Sequence, residues 1–144
     1  MKNLFTIVLL TSLLFSCNKS TVKVCEKTIA GITGTYKLTK FELVSFDTGQ
    51  AQDVTNTLSP CELSGIYDLR VDKTASYTEM ANCTGNGTGT WGLTEGGILY
   101  TSFASGNGSR ISNTSIVSWD CIHLVLITHF PSVVNNNRYT LTRQ

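Results

Sequence analysis

With 144 residues, 15% of them charged and a formal net charge of +1, the chain has room for one domain core and no surplus of basic residues. A balanced surface excludes the basic stripe on which nucleic-acid binding depends, so no nucleic-acid partner is expected. Two prolines against twelve glycines, with Thr, Ser and Asn throughout, fit a chain of strands and turns.

The N-terminus departs from that pattern. Met1-Lys2-Asn3 carries one positive charge, Leu4 to Phe15 is almost purely apolar, and Leu14-Phe15-Ser16-Cys17 ends the run with a small residue and a thiol. A charged start, a short apolar stretch and a small residue at the cut make a secretory signal. The apolar run is well short of the ~20 residues a helix needs to cross a bilayer. The last four residues resemble the lipobox of bacterial lipoproteins, in which the cysteine is lipidated and becomes the mature N-terminus. The resemblance implies a signal peptide over 1–16, lipid attachment at Cys17, and a membrane-anchored place in the bacterial cell envelope. Residues 17–33 then read as lipidated N-terminus and tether, because 18–31 mix charge with small residues and show no clear periodicity.

The folded part is expected from Gly34. A first strand, Thr35 to Phe46, slips phase by one residue around Thr39-Lys40, which suggests a bulge. A polar connection, 47–65, leads to a strand over Ile66–Val71 with Tyr67, Leu69 and Val71 on one face. Residues 72–75 turn the chain into a strand over Ser76–Met80. The stretch 81–89 is Asn/Gly loop chemistry. Strands follow over Thr90–Thr94 and Ile98–Phe103, joined by the turn 95–97. After the polar loop 104–109 comes a strand over Arg110–Val117, then a turn at 118–120 that no glycine assists. Cys121–Phe130 is the most apolar segment, and after 131–136 a last strand covers Asn137–Arg143. Eight short strands with turn signals between them and no convincing helix indicate an antiparallel barrel or sandwich.

Gly34-Thr35-Tyr36-Lys37-Leu38 resembles the Gly-x-Trp opening strand of lipocalins, with Tyr36 in place of the tryptophan. Gly89-Thr90-Trp91-Gly92-Leu93 and Tyr139-Thr140-Leu141-Thr142-Arg143 are similar to later strands of bacterial lipocalin-like lipoprotein domains. The resemblance implies an all-β, eight-stranded antiparallel up-and-down barrel over 34–144. It also implies a binding protein rather than an enzyme, with a small apolar or amphipathic ligand and no cofactor.

In such a barrel the connections sort by end. The turns 72–75, 95–97 and 118–120 share one end and are short; 47–65, 81–89, 104–109 and 131–136 share the other and are longer. Long loops on a rigid scaffold tend to carry function, which makes the long-loop end the expected mouth. Four cysteines remain besides Cys17, an even number that reads as two disulfides in an exported chain. Cys61 and Cys83 fall at the mouth end, Cys25 and Cys121 at the closed end. Bridged Cα atoms must lie within roughly 7 Å, so the pairing Cys61–Cys83 and Cys25–Cys121 is the one this geometry allows.

Tyr36, Tyr67, Tyr77, Trp91 and Tyr100 either line an apolar pocket or plug the barrel, since eight strands leave room for packed side chains or one small ligand. His123 and His129 share a strand face but stand some 20 Å apart at ~3.3 Å per residue, too far to share a metal. With no Cys-x-x-Cys pair, no metal site is expected. The acidic residues are scattered singly, and there is no Gly-x-Ser-x-Gly elbow and no P-loop. Asn82-Cys83-Thr84, Asn86-Gly87-Thr88 and Asn107-Gly108-Ser109 read as turn residues. The alternative function is a protein-binding module. Ser105-Gly106-Asn107-Gly108-Ser109-Arg110 resembles the Ser-Gly-x-Gly loop of lipoprotein lysozyme inhibitors, which implies an envelope enzyme inhibitor.

Overall fold

Strand β1 (Gly34–Ser45) organises the sheet, because it is long enough to be shared by three neighbours. On one side β9 (Asn135–Arg143) pairs with it from Tyr36↔Arg143 to Ser45↔Asn135. On the other side β3 (Ile66–Leu69) takes Gly34–Lys37, and the short β2 (Ala51–Asp53) takes Glu42–Val44. The backbone of Phe41, between those two partners, is satisfied by Thr55. Its Oγ1 accepts from Phe41 N at 2.8 Å, and Phe41 O accepts from Val54 N at 2.9 Å. The register of β1 against β9 shifts between Leu38 and Lys40, where the expected bulge lies.

The computed structural model describes residues 24–104, 110–128 and 134–144. The remaining strands are β4 (Thr74–Thr78), β5 (Gly87–Leu93), β6 (Ile98–Phe103), β7 (Thr114–Trp119) and β8 (His123–Thr128). Every pair is antiparallel, and β1–β9 closes β1-β3-β4-β5-β6-β7-β8-β9 into an eight-stranded barrel with β2 as an added ninth strand. The thinnest seam is β6–β7, which pairs only at Ile98↔Ser115 and Leu99↔Thr114.

Three strand boundaries move for identifiable reasons. The Asp72 carboxylate accepts from Thr74 N at 2.9 Å and Thr74 Oγ1 at 2.7 Å, so the turn tightens and β4 begins at Thr74. Val71 therefore lies in that turn, exposed, and does not extend the face of Tyr67 and Leu69. The strand expected over Arg110–Val117 is β7, later by four residues at its start; Ser112 Oγ bonds Thr101 O instead of extending a ladder. The turn without glycine falls at 120–122, where Cys121 itself takes a left-handed φ of 73°. The Asp120 carboxylate stabilises that conformation by accepting from Ile122 N at 2.9 Å and His123 N at 2.5 Å.

Two short helices and a 3-10 turn correct the expectation of no helix. Helix α1 (Ile29–Ile32) lies within the stretch read as tether, capped by Thr28, and drives Ile32 fully into the core. The 47–65 connection holds β2, the 3-10 turn (Thr55–Thr57) and α2 (Pro60–Ser64), and it buries Leu58. Helix α2 starts in a capping box: Ser59 Oγ accepts from Glu62 N, and the Glu62 carboxylate accepts from Ser59 N at 2.8 Å. One end of the barrel is thus stoppered by Ile32, and the other by Leu58 with Ile111.

Candidate functional site

At the closed end most polar side chains are engaged by the fold, although Arg143 Nε and Trp119 Nε1 are buried without a hydrogen-bond partner. Arg143, the last residue of β9, donates through Nη2 to Gly31 O (2.9 Å), Thr33 O (2.8 Å) and Tyr36 Oη (2.9 Å). Its guanidinium lies 5.4 Å from the Tyr36 ring and 4.7 Å from the Trp119 ring. The Tyr36 hydroxyl in turn donates to Ile32 O at 2.5 Å, and burial pushes its pKa up. Cys25–Cys121, with Cα atoms 5.3 Å apart, fastens the N-terminal arm to the same place. A shallow depression of about 330 Å³ beside α1 is lined by Cys25, Ala30, Gly31, Trp119 and Arg143, among others.

The mouth end is built differently. Cys61–Cys83 joins α2 to the loop after β4, with Cα atoms 5.7 Å apart. Beside it opens a polar depression of about 460 Å³, lined by Ser59, Glu62, Glu79, Thr84, Gly85 and Arg110 together with the disulfide. Arg110 forms an ion pair with Glu62, and both side chains are part-exposed. The Arg110 guanidinium also stands 6.0 Å from the Phe41 ring. The Glu79 carboxylate accepts from Tyr77 Oη at 2.9 Å and Gly85 N at 3.0 Å. Burial raises the Tyr77 pKa, and its bond to Glu79 raises it further, so Tyr77 stays a neutral donor. The site therefore offers one cation and two carboxylates around a ligand-sized hollow.

Both disulfides pair as expected. The five candidate aromatics divide. Tyr36, Tyr67, Tyr77 and Trp91 are all buried in the core, and Tyr67 packs on Tyr77 with ring centroids 4.7 Å apart. The indole of Trp91 donates to Arg70 O at 2.7 Å. These four fill the barrel, and among them only Tyr77 reaches the mouth depression, through Glu79. Tyr100 corrects the grouping. It is 40% exposed on the outer face of β6, where Leu99 and Thr101 are the inward residues. Cys61, Glu79 and Cys83 bring ligand atoms within 4.8 Å of one another, but the two sulfurs are bonded to each other and neither is a thiolate ligand. His123 pairs with Asp120 at 2.9 Å in an exposed turn. Cys17, His129 and the loop 105–109 lie outside the described residues.

Arg110 and Glu62 carry the mouth site, and sequence reading passed over both as a pair. Ser59-Pro60-Cys61-Glu62 is a readable capping signature with proline at the first helical position. Arg110 has no such signal, since its partner is 48 positions away and only the closed barrel brings them together.

The described residues thus form a closed antiparallel barrel whose interior is filled by its own side chains and whose mouth bears a ligand-sized polar hollow. The lipocalin-like domain family matches residues 32–118, more than half of the chain, and the protein belongs to that family. No curated protein and no solved structure matches the chain.

Proposed function

We propose that the protein is a lipid-anchored envelope protein that binds a small amphipathic molecule in the mouth hollow between α2, the loop after β4 and Arg110. The hollow of about 460 Å³ with its Glu62–Arg110 pair and Glu79 carries this reading. Tyr36, Tyr67 and Trp91 occupy the barrel interior, so the ligand seats against the caps and presents a polar group to the charged residues. Exchanging a part-exposed ion pair for a ligand costs little, on the order of 1 kcal/mol or less, which suits Arg110 to recognise an anionic head. Native mass spectrometry of protein purified from its source tests the reading. A small molecule that co-purifies with the wild type and is lost in Arg110→Ala supports it; retention in that variant refutes the site.

Anchoring is proposed on the lipobox-like Leu14-Phe15-Ser16-Cys17. Cys17→Ser should abolish incorporation of labelled fatty acid and release the chain from the membrane fraction. Label entering the mutant would show the assignment to be wrong.

A further inference from the structure

We infer that the closed end of the barrel is itself a membrane-contacting surface, whose aliphatic turn tips rest in the headgroup–acyl boundary of a phospholipid bilayer. The inference rests on the lipid-anchor reading above. The turns between β3 and β4, β5 and β6, and β7 and β8 all lie at this end; Val71 and Ile122 are exposed in the first and last of them, and Ile98, the outward-facing first residue of β6, is exposed directly after the second. Val24 adds a fourth, next to the Cys25 that is bonded to Cys121 in the last of these turns. Exposed aliphatics scattered singly mean little; these four gather at the rim of one end of the barrel, interspersed with charged residues.

The polar groups of those tips are exposed, but each is hydrogen-bonded within its own turn. The Asp72 carboxylate is engaged by Thr74, the Asp120 carboxylate by the amides of Ile122 and His123, and Thr94 Oγ1 accepts from Ile98 N at 3.1 Å. The exposed carboxylates therefore stay in the hydrated headgroup layer while the neighbouring aliphatics reach the acyl boundary. Both charge signs occur here, Lys27 and Lys73 beside Glu26, Asp72, Glu95 and Asp120, so the contact depends on apolar burial rather than on anionic lipid.

The tether selects the occupant. Seven residues, 18–24, separate Cys17 from Cys25, eight Cα–Cα steps with a reach of at most ~29 Å. The disulfide fixes the end of that reach to the rim, so the rim is held close to whatever surface receives the lipid. At such effective concentration, contacts too weak to bind in free solution become occupied. The exposed Phe46 and Val134 lie at the opposite end, adjacent through Phe46 N to Val134 O at 3.0 Å, and face solvent in this arrangement.

The test is amide hydrogen exchange on the mature lipidated chain in phosphatidylethanolamine–phosphatidylglycerol vesicles. The reference is the chain from Asn18 onward, free in buffer; it retains every described strand and both disulfides. A second lipidated chain carries a flexible Gly/Ser insert of ~20 residues after Asn18, so that the tether alone no longer holds the rim to the lipid. The amides at 70–73, 96–98 and 120–122 should exchange at least about fivefold more slowly than in the reference on both tethers, while 46–50 and 81–86 stay unchanged. The double variant Val71→Ser/Ile122→Ser, exposed at both positions, should lose that protection on the long tether. Loss of wild-type protection with the long tether would overturn the inference, and so would protection of the mouth segments instead. Should the chain prove unlipidated, the anchor reading fails separately. The Asn18 chain mixed with the same vesicles then decides: slowed exchange at the rim supports the surface, and unchanged exchange overturns it.

Discussion

The two ends of this barrel are both fastened by a disulfide and stoppered by a buried aliphatic, yet they use their charged residues in opposite ways. At the closed end, Arg143 Nη2 faces two backbone carbonyls and the Tyr36 hydroxyl, the guanidinium lies near the Tyr36 and Trp119 rings, and its Nε is buried without a partner. At the mouth, Arg110, Glu62 and Glu79 border an open hollow, and the Arg110–Glu62 pair is part-exposed. A guanidinium held by three acceptors of its own fold is costly to move, whereas one whose single ion-pair partner is half in water can trade that partner for a ligand. The lesson is that the mouth is the adaptable end and the closed end the rigid one.

The largest expected effect separates the two ends through their disulfides. Cys25–Cys121 closes a loop of 96 positions and Cys61–Cys83 one of 22. On the chain-entropy argument, removing the first should cost about 4–5 kcal/mol and removing the second about 3. Urea unfolding of the two paired Cys→Ala variants measures the difference, and a costlier mouth disulfide would break the comparison. Gly34→Ala comes next. A Cβ there would lie 2.9 Å from Arg143 Nε, forcing the stacked guanidinium aside at a cost of about 1–3 kcal/mol. Its midpoint should fall while affinity for the mouth ligand holds.

A smaller effect isolates the strained turn. Cys121→Ala and Cys121→Gly both lose the disulfide, but only glycine takes the φ of 73° at no steric cost. Cys121→Gly should therefore be about 1 kcal/mol the more stable of the two by thermal unfolding. The smallest effect is in pH. Arg138 and then Lys40 hold the Glu42 carboxyl below its ordinary pKa, with Arg138 Nε 2.8 Å and Lys40 Nζ 2.8 Å from it. A depressed carboxyl contributes stability above its unfolded pKa, and that contribution is lost as pH falls through the folded value. Arg138→Met should accordingly cost about 1 kcal/mol at pH 7 and progressively less below about pH 4. A deficit that grows on acidification would contradict the pairing.

What the sequence made legible follows from period and topology. The alternation of Tyr67 with Leu69 and of Leu124 with Leu126 marks inward faces, and the one-residue slip after Leu38 is the β1 bulge. Sorting the connections by end was enough to pair the cysteines, because strand ends place them within bridging distance. What stayed hidden depends on contacts between distant segments. Nothing near Arg143 announces that it will stack on Tyr36 and Trp119, and nothing near Arg110 announces Glu62. The 47–65 connection looked featureless because its helix is a single turn with no apolar period, although its capping box stands in the sequence. Tyr100 was grouped with the inward aromatics by residue type. In β6 the alternation starting at Ile98 puts Leu99 and Thr101 inside and Tyr100 out.

The central claim is that the mouth, not the closed end or the barrel interior, receives the ligand. Backbone amide shifts test it most directly, recorded as the co-purifying small molecule is returned to stripped protein. The account predicts the largest shifts at Glu62, Glu79, Gly85 and Arg110, with Gly31, Cys121 and Arg143 unmoved. Largest shifts at the closed end, or at Tyr67 and Trp91 in the interior, would contradict it.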